Sequence, residues 1–169
     1  MNLGRYAKSM LGIMLLVCPV TSFPVDIKPT AVTPVGAYAR IKATADHTYG
    51  HEMRLWQSGN RLIGQVLYWD GNLEGQTGLF TDGMYEPRSG EIQFTVTIIR
   101  RDVRPNIQST ATFTGRLVKN TVTGNLKWDG QVAQTRGKAG IESVNLSRSL
   151  DSPLEKFANV DSWRKAVSN

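Results

Sequence analysis

The sequence predicts an all-β protein, an eight-stranded antiparallel up-and-down β-barrel with one C-terminal α-helix packed outside it. Three observations carry that prediction. From Gly36 to Arg148, short segments rich in Thr, Val, Ile and aromatic residues alternate apolar and polar side chains between turn residues, the pattern of a β meander. The links Ser58-Gly59-Asn60, Asp70-Gly71, Glu86-Pro87-Arg88-Ser89-Gly90 and Lys119-Asn120 are too short for parallel crossovers, so they join antiparallel neighbours. Gly64, Gly78, Gly115 and Gly124 stand inside strand-like segments, where a sheet closing on itself must bend sharply. A bulged sandwich is the competing architecture, and short links disfavour it because most sandwiches need long Greek-key crossings.

The chain opens with residues 1–22: a polar start carrying Arg5 and Lys8, the apolar run Met10 to Val17, then Pro19 and the small Thr21 and Ser22. That order is a secretory signal peptide, and its apolar run is about half of the ~20 residues a membrane-spanning helix needs. Residues 23–35, with Pro24, Pro29 and Pro34 and no periodicity, read as an extended arm.

Residues 36–149 are the barrel. Strands are expected at Ala37 to Ala45, Glu52 to Gln57, Arg61 to Trp69, Gln76 to Tyr85, Glu91 to Arg100, Gln108 to Val118, Thr121 to Trp128 and Ile141 to Arg148. Alternation is clearest in the fifth, where Ile92, Phe94, Val96 and Ile98 share one face and Gln93, Thr95 and Thr97 the other. Ala111, Phe113, Gly115 and Leu117 repeat it, followed by Val122, Gly124, Leu126 and Trp128. The segment Ile63 to Gly71 is echoed by Thr123 to Gly130, each with an interior glycine and Trp-Asp-Gly at its exit.

Residues 150–169 change period. Ser152-Pro153-Leu154-Glu155 has the form of a capping box, and Leu154, Phe157, Ala158, Val160, Trp163, Ala166 and Val167 recur at helical spacing, with a break near Asn159 to Ser162. Ile63, Leu67 and Trp69 lie opposite Leu62, Val66 and Tyr68, so the third strand is apolar on both faces and is the expected seat of this amphipathic helix.

With 169 residues, 40% hydrophobic and 20% charged, the chain suits one packed core and excludes collagen-like, coiled-coil and wholly disordered classes. Its single cysteine, Cys18, lies in the leader, and Val17 stands where a bacterial lipoprotein signal carries a small residue. A periplasmic or secreted protein is therefore expected, without a lipid anchor and without a transmembrane span in the mature chain. Residues 23–169 hold no cysteine, which removes disulfides, thiolate nucleophiles and Cys-ligated metals. The net charge of +6 does not point to nucleic acid, because the aromatic residues alternate into the core instead of lining a basic face.

An eight-stranded meander followed by a helix resembles the calycin group of lipocalins, fatty-acid-binding proteins and avidins. Gly36-Ala37-Tyr38 offers the glycine and an aromatic residue where lipocalins and avidins open their first strand with Gly-x-Trp. Arg148 ends the last strand, where lipocalins pack an arginine over that aromatic. The resemblance is one of fold, and no avidin ligand-binding residue has a counterpart here.

Catalytic signatures are lacking. Asp46-His47-Thr48-Tyr49-Gly50-His51-Glu52 holds both histidines between acids, the residue types of a zinc site or of a base with its orienting acid. Gly50 places this segment in a turn, where such spacing aligns nothing in advance, so a solvent-exposed hairpin is expected. Asp70, Glu74, Asp82, Glu86 and Glu91 fall mainly at turns, and no Gly-x-Ser-x-Gly elbow, phosphate loop or His-Glu-x-x-His occurs. No catalytic residue, metal or cofactor is assigned, and a non-enzymatic protein is favoured.

The functional expectation rests on volume. An eight-stranded barrel is either just filled by its side chains or admits one small ligand. The candidate inward set places Ala37, Ala39, Ala43, Gly64, Ala111, Gly115 and Gly124 beside Ile41, Val66, Tyr68, Phe94, Phe113 and Trp128. Small beside large leaves room for a small apolar or amphiphilic ligand, lipid-like or aromatic, with Tyr68, Phe94, Phe113 and Trp128 as its contacts. Arg100, Arg101 and Arg104, with Arg136 and Lys138 at the same barrel end, would form a basic rim for a carboxylate or phosphate. The competing expectation is an envelope-associated immunity or inhibitor protein that recognises a protein partner through its loops.

Overall fold

A computed structural model describes residues 30–71, 75–100, 107–129, 140–150 and 153–168. The leader and most of the arm lie outside the described residues. Eight strands follow in order: β1 Val32–Ala43, β2 Thr48–Ser58, β3 Arg61–Asp70, β4 Gln76–Glu86, β5 Glu91–Arg100, β6 Ile107–Val118, β7 Thr121–Asp129 and β8 Ile141–Arg148. Each pairs antiparallel with the next and β8 returns to β1, so the expected closed barrel is the one found. Left-handed backbone at Gly59 (φ 62°), Gly90 (φ 74°) and Lys119 (φ 53°) makes the tight turns of one end. Strands β1, β3, β5 and β7 all finish at the opposite end, the mouth.

Toward the tight turns the interior is solid. Phe80 stacks on Phe94 with centroids 4.1 Å apart, and Phe94 on Phe113 at 5.2 Å. Met53, Leu55, Leu62, Ile92, Leu126 and Leu146 close around them. The room expected beside the small residues is occupied. Gly115 and Gly124 face each other across β6 and β7, and a Cβ on either would meet the Phe113 ring at 2.6 to 2.7 Å. A Cβ on Gly64 would meet Phe80 at 2.7 Å. These glycines seat neighbouring phenyl rings, which residue size read along a single strand does not show.

Strand β1 begins at Val32, so the last residues of the expected arm belong to the sheet. Its register slips between Pro34 and Gly36, and this bulge inverts the inward phase. Tyr38 then lies opposite the inward Met53, while Ala37 and Ala39 lie opposite Arg54 and Glu52. Ala37, Ala39, Ile41 and Ala43 therefore face outward, correcting the expected inward set.

Two seams are incompletely laddered. Strands β4 and β5 pair only from Met84 to Glu86, yet stay close, since a Cβ on Gly78 would lie 2.7 Å from the Thr97 carbonyl oxygen. Strands β1 and β8 pair only at Tyr38 with Arg148 and Ala39 with Ser147. Beyond Ala39, β1 leaves its neighbour, and Arg40 to Ala43 are all exposed.

The C-terminal segment packs outside the barrel, but its helix starts later than the sequence suggests. Pro153 to Lys156 is not helical, and Phe157 exchanges backbone hydrogen bonds of 2.9 and 3.0 Å with Val32. With those groups committed to a β-bridge, helix α1 spans only Val160–Val167. Asn159 caps it by accepting from Ser162 N at 2.9 Å, while Ser162 Oγ accepts from Asn159 N at 3.2 Å. Trp163 is fully buried against Trp56, Ile63 and Val32, so Ile63 is part of the seat as expected. Trp56 Nε1 donates to Glu155 O at 2.9 Å, and Gln65 Nε2 to Val167 O at 3.3 Å.

Candidate functional site

The interior changes character toward the mouth. In β2, His51 continues the inward series of Met53 and Leu55, and the register sets it opposite Tyr68 of β3. Their ring centroids are 5.1 Å apart, and Tyr68 meets Trp128 of β7 at the same distance. Glu142, at the start of β8, accepts a hydrogen bond from Trp128 Nε1 at 3.2 Å and lies 3.5 Å from His51 Nε2. Gln76 stands across from Tyr68 on β4, and Ser109 across from Ile98 on β6. A polar and aromatic cluster thus caps a hydrocarbon interior.

His51 reaches that cluster because β2 starts at Thr48, four residues earlier than expected. Gly50, at φ 128°, is a strand residue crossing close over β1, where a Cβ would overlap the Arg40 carbonyl oxygen. The expectation of a solvent-exposed hairpin for both histidines is therefore corrected. His47 is exposed at the turn, its Nδ1 2.9 Å from Gly71 O, whereas His51 is 7% exposed inside the barrel.

Buried polar atoms in folded proteins are nearly always hydrogen-bonded. His51 Nε2 and Ser109 Oγ are buried without any hydrogen bond. A buried atom left without a hydrogen bond costs roughly 1–3 kcal/mol, less for His51 Nε2 because Glu142 Oε2 lies 3.5 Å away, and the two together mark a lumen suited to a polar group from outside the chain.

Of the residues singled out from the sequence, Tyr68 and Trp128 are brought together in this cluster. Phe94 and Phe113 belong to the ring stack below it, one alternation further from the mouth than Ala111, the partner of Trp128. Arg100 ends β5 at the mouth. Arg101, Arg104, Arg136 and Lys138 lie outside the described residues. His51, Gln76, Ser109 and Glu142 were missed. Extending the β2 alternation of Leu55 and Met53 back across Glu52 finds the first, and counting back from Leu146 and Val144 finds the last.

Two grooves of about 360 and 420 Å³ flank the C-terminal segment, the first against Arg54, Trp56 and Phe157, the second against Arg61, Asp82 and Arg164. Neither is lined by the orphaned polar atoms of the mouth.

Midway along β1, Tyr38 sits directly across from Arg148. Burial pushes the Tyr38 phenol above its ordinary pKa; Arg148 opposes this and Tyr85 adds to it. The unfolded chain then releases this proton first, so the contribution is intact below about pH 10 and is lost as pH rises toward the native value. Alkaline denaturation should show this: Tyr38→Phe is expected to flatten the fall in stability above about pH 10. An unchanged profile would refute it.

No helix among the described residues is long and apolar enough to cross a membrane. Compared with known proteins, the chain matches no protein family, no curated protein and no solved structure.

Proposed function

We propose that this barrel binds a small amphiphilic ligand at its mouth, acting after export as a non-enzymatic carrier or sensor. The calycin-like reading rests on the closed eight-stranded order and on Arg148 opposite Tyr38. The single observation that carries the binding proposal is that two buried polar atoms of the inward face make no hydrogen bond: Ser109 Oγ, and His51 Nε2, which meets Glu142 Oε2 at 3.5 Å and whose ring lies against Tyr68. A ligand with one flat or apolar portion against those rings and one hydrogen-bonding group toward His51 or Ser109 matches this chemistry. The solid ring stack below argues for a short ligand rather than a long chain lying along the barrel axis.

Fluorescence titration with octanol and benzyl alcohol tests the proposal. Saturable quenching is expected in the native protein and absent from Trp128→Phe, and His51→Phe is expected to weaken binding about tenfold, the effect of one hydrogen bond. If neither probe changes the fluorescence or shifts the melting temperature, the mouth is not a binding site.

A further inference from the structure

The mouth is unsymmetrical, and the asymmetry points to the charge of the ligand. Cα partners in an antiparallel pair share a face, so Arg40, opposite His51, and Lys42, opposite Tyr49, belong to the inward side of β1. Inward residues of a closed barrel are buried, yet both of these are exposed. Both lie toward the rim, as their exposed neighbours Tyr49 and Asp70 do, and β1 and β8 stop pairing after Ala39, where Arg40 begins. Among the described residues, the β1–β8 ladder is therefore missing where two cations stand on the inward phase of β1.

Neither cation is engaged in an ion pair among the described residues. Among the described residues, the carboxylates on the same inward face have other partners. Glu142 holds Trp128 Nε1 and lies beside His51 Nε2, and Asp70, opposite Tyr49, also has a partner. The edge of β1 from Arg40 to Ala43 adds backbone groups that β8 does not pair. Two cations without an ion pair among the described residues, at the rim of a polar and aromatic lumen, form a site for an anion whose remainder is apolar.

We propose that the opened β1–β8 seam is the entrance to the mouth, and that Arg40 and Lys42 hold the carboxylate or phosphate of an anionic amphiphile there. This rests on the proposed binding at the mouth and adds the class of ligand and the residues that select it. The basic group in this proposal stands on β1; Arg101 and Arg104 of the sequence expectation lie outside the described residues.

The test compares octanoate, octyl phosphate, octanol and octylamine of equal chain length, with acetate and inorganic phosphate as free anions, by calorimetry at low and high salt. Octanoate and octyl phosphate are expected to bind at least about tenfold more tightly than octanol, with the preference shrinking in salt, and octylamine to bind weakest. Arg40→Gln/Lys42→Gln is expected to abolish the preference while leaving octanol affinity and melting temperature unchanged, since both residues are exposed. Equal affinity for octanol and octanoate in the native protein overturns the anion site and leaves binding at the mouth standing. Acetate or phosphate binding as tightly as its octyl counterpart overturns the amphiphile and leaves a site for a free anion. Failure of every probe removes both readings together.

Discussion

Replacing Phe113 with alanine is expected to cost about 3–5 kcal/mol of stability, measured by urea denaturation. Phe113 is fully buried, stacks on Phe94 at 5.2 Å, and covers the facing pair Gly115 and Gly124. Removing its ring leaves a void floored by two residues without side chains, which cannot refill it. Set against the roughly 5–15 kcal/mol that holds a typical domain folded, such a loss is severe. The reciprocal change, Gly124→Ala, is expected to be comparably damaging, since the new methyl would overlap the Thr114 carbonyl oxygen as well as the ring. Because that oxygen is backbone, Phe113→Ala/Gly124→Ala should recover little. A cost below about 1 kcal/mol for Phe113→Ala would show that this half of the barrel is not packed as described.

Trp163→Ala is expected to be the second large loss, again about 3–5 kcal/mol, because it removes the fully buried anchor of the C-terminal segment. An eight-residue helix cannot persist in water alone, so α1 exists through its contact with the sheet. Trp163 is fully buried and meets Trp56 edge-on at 5.8 Å, while Phe157 meets the same ring at 6.2 Å. Without it, the Phe157 bridge to Val32 and the Trp56 bond to Glu155 lose their cover. Limited proteolysis should then cut the chain after Pro153 while the barrel persists, and Trp56 fluorescence should shift to longer wavelength. Protection equal to the native protein would show that the helix is held by something other than Trp163.

The strands and turns were legible because their signals are local. Alternation from Glu91 to Arg100 and glycine or asparagine at each tight turn follow from steric preferences acting over a few residues, and β8 falls where that pattern places it. Two of the six residues of the candidate site were legible in the same way: Tyr68 and Trp128 are inward by alternation, and they do meet. The start of α1 was not, because the helical spacing of Leu154 and Phe157 is real but Val32, far away in the chain, takes the Phe157 backbone first.

By itself the sequence determined the class of protein: one antiparallel meander, the positions of its turns and a helix on the outside. Local backbone preference and side-chain alternation suffice for that. Only the tertiary structure decided which lumen is full and which is polar. A bulge at Pro34 inverted the face of β1, Phe80 and Phe113 leaned over glycines on neighbouring strands, and His51 was carried inward beside Glu142 from the far end of the chain. Each of these depends on contacts between residues distant in sequence, made when the sheet closes, and no periodicity along a single strand records them.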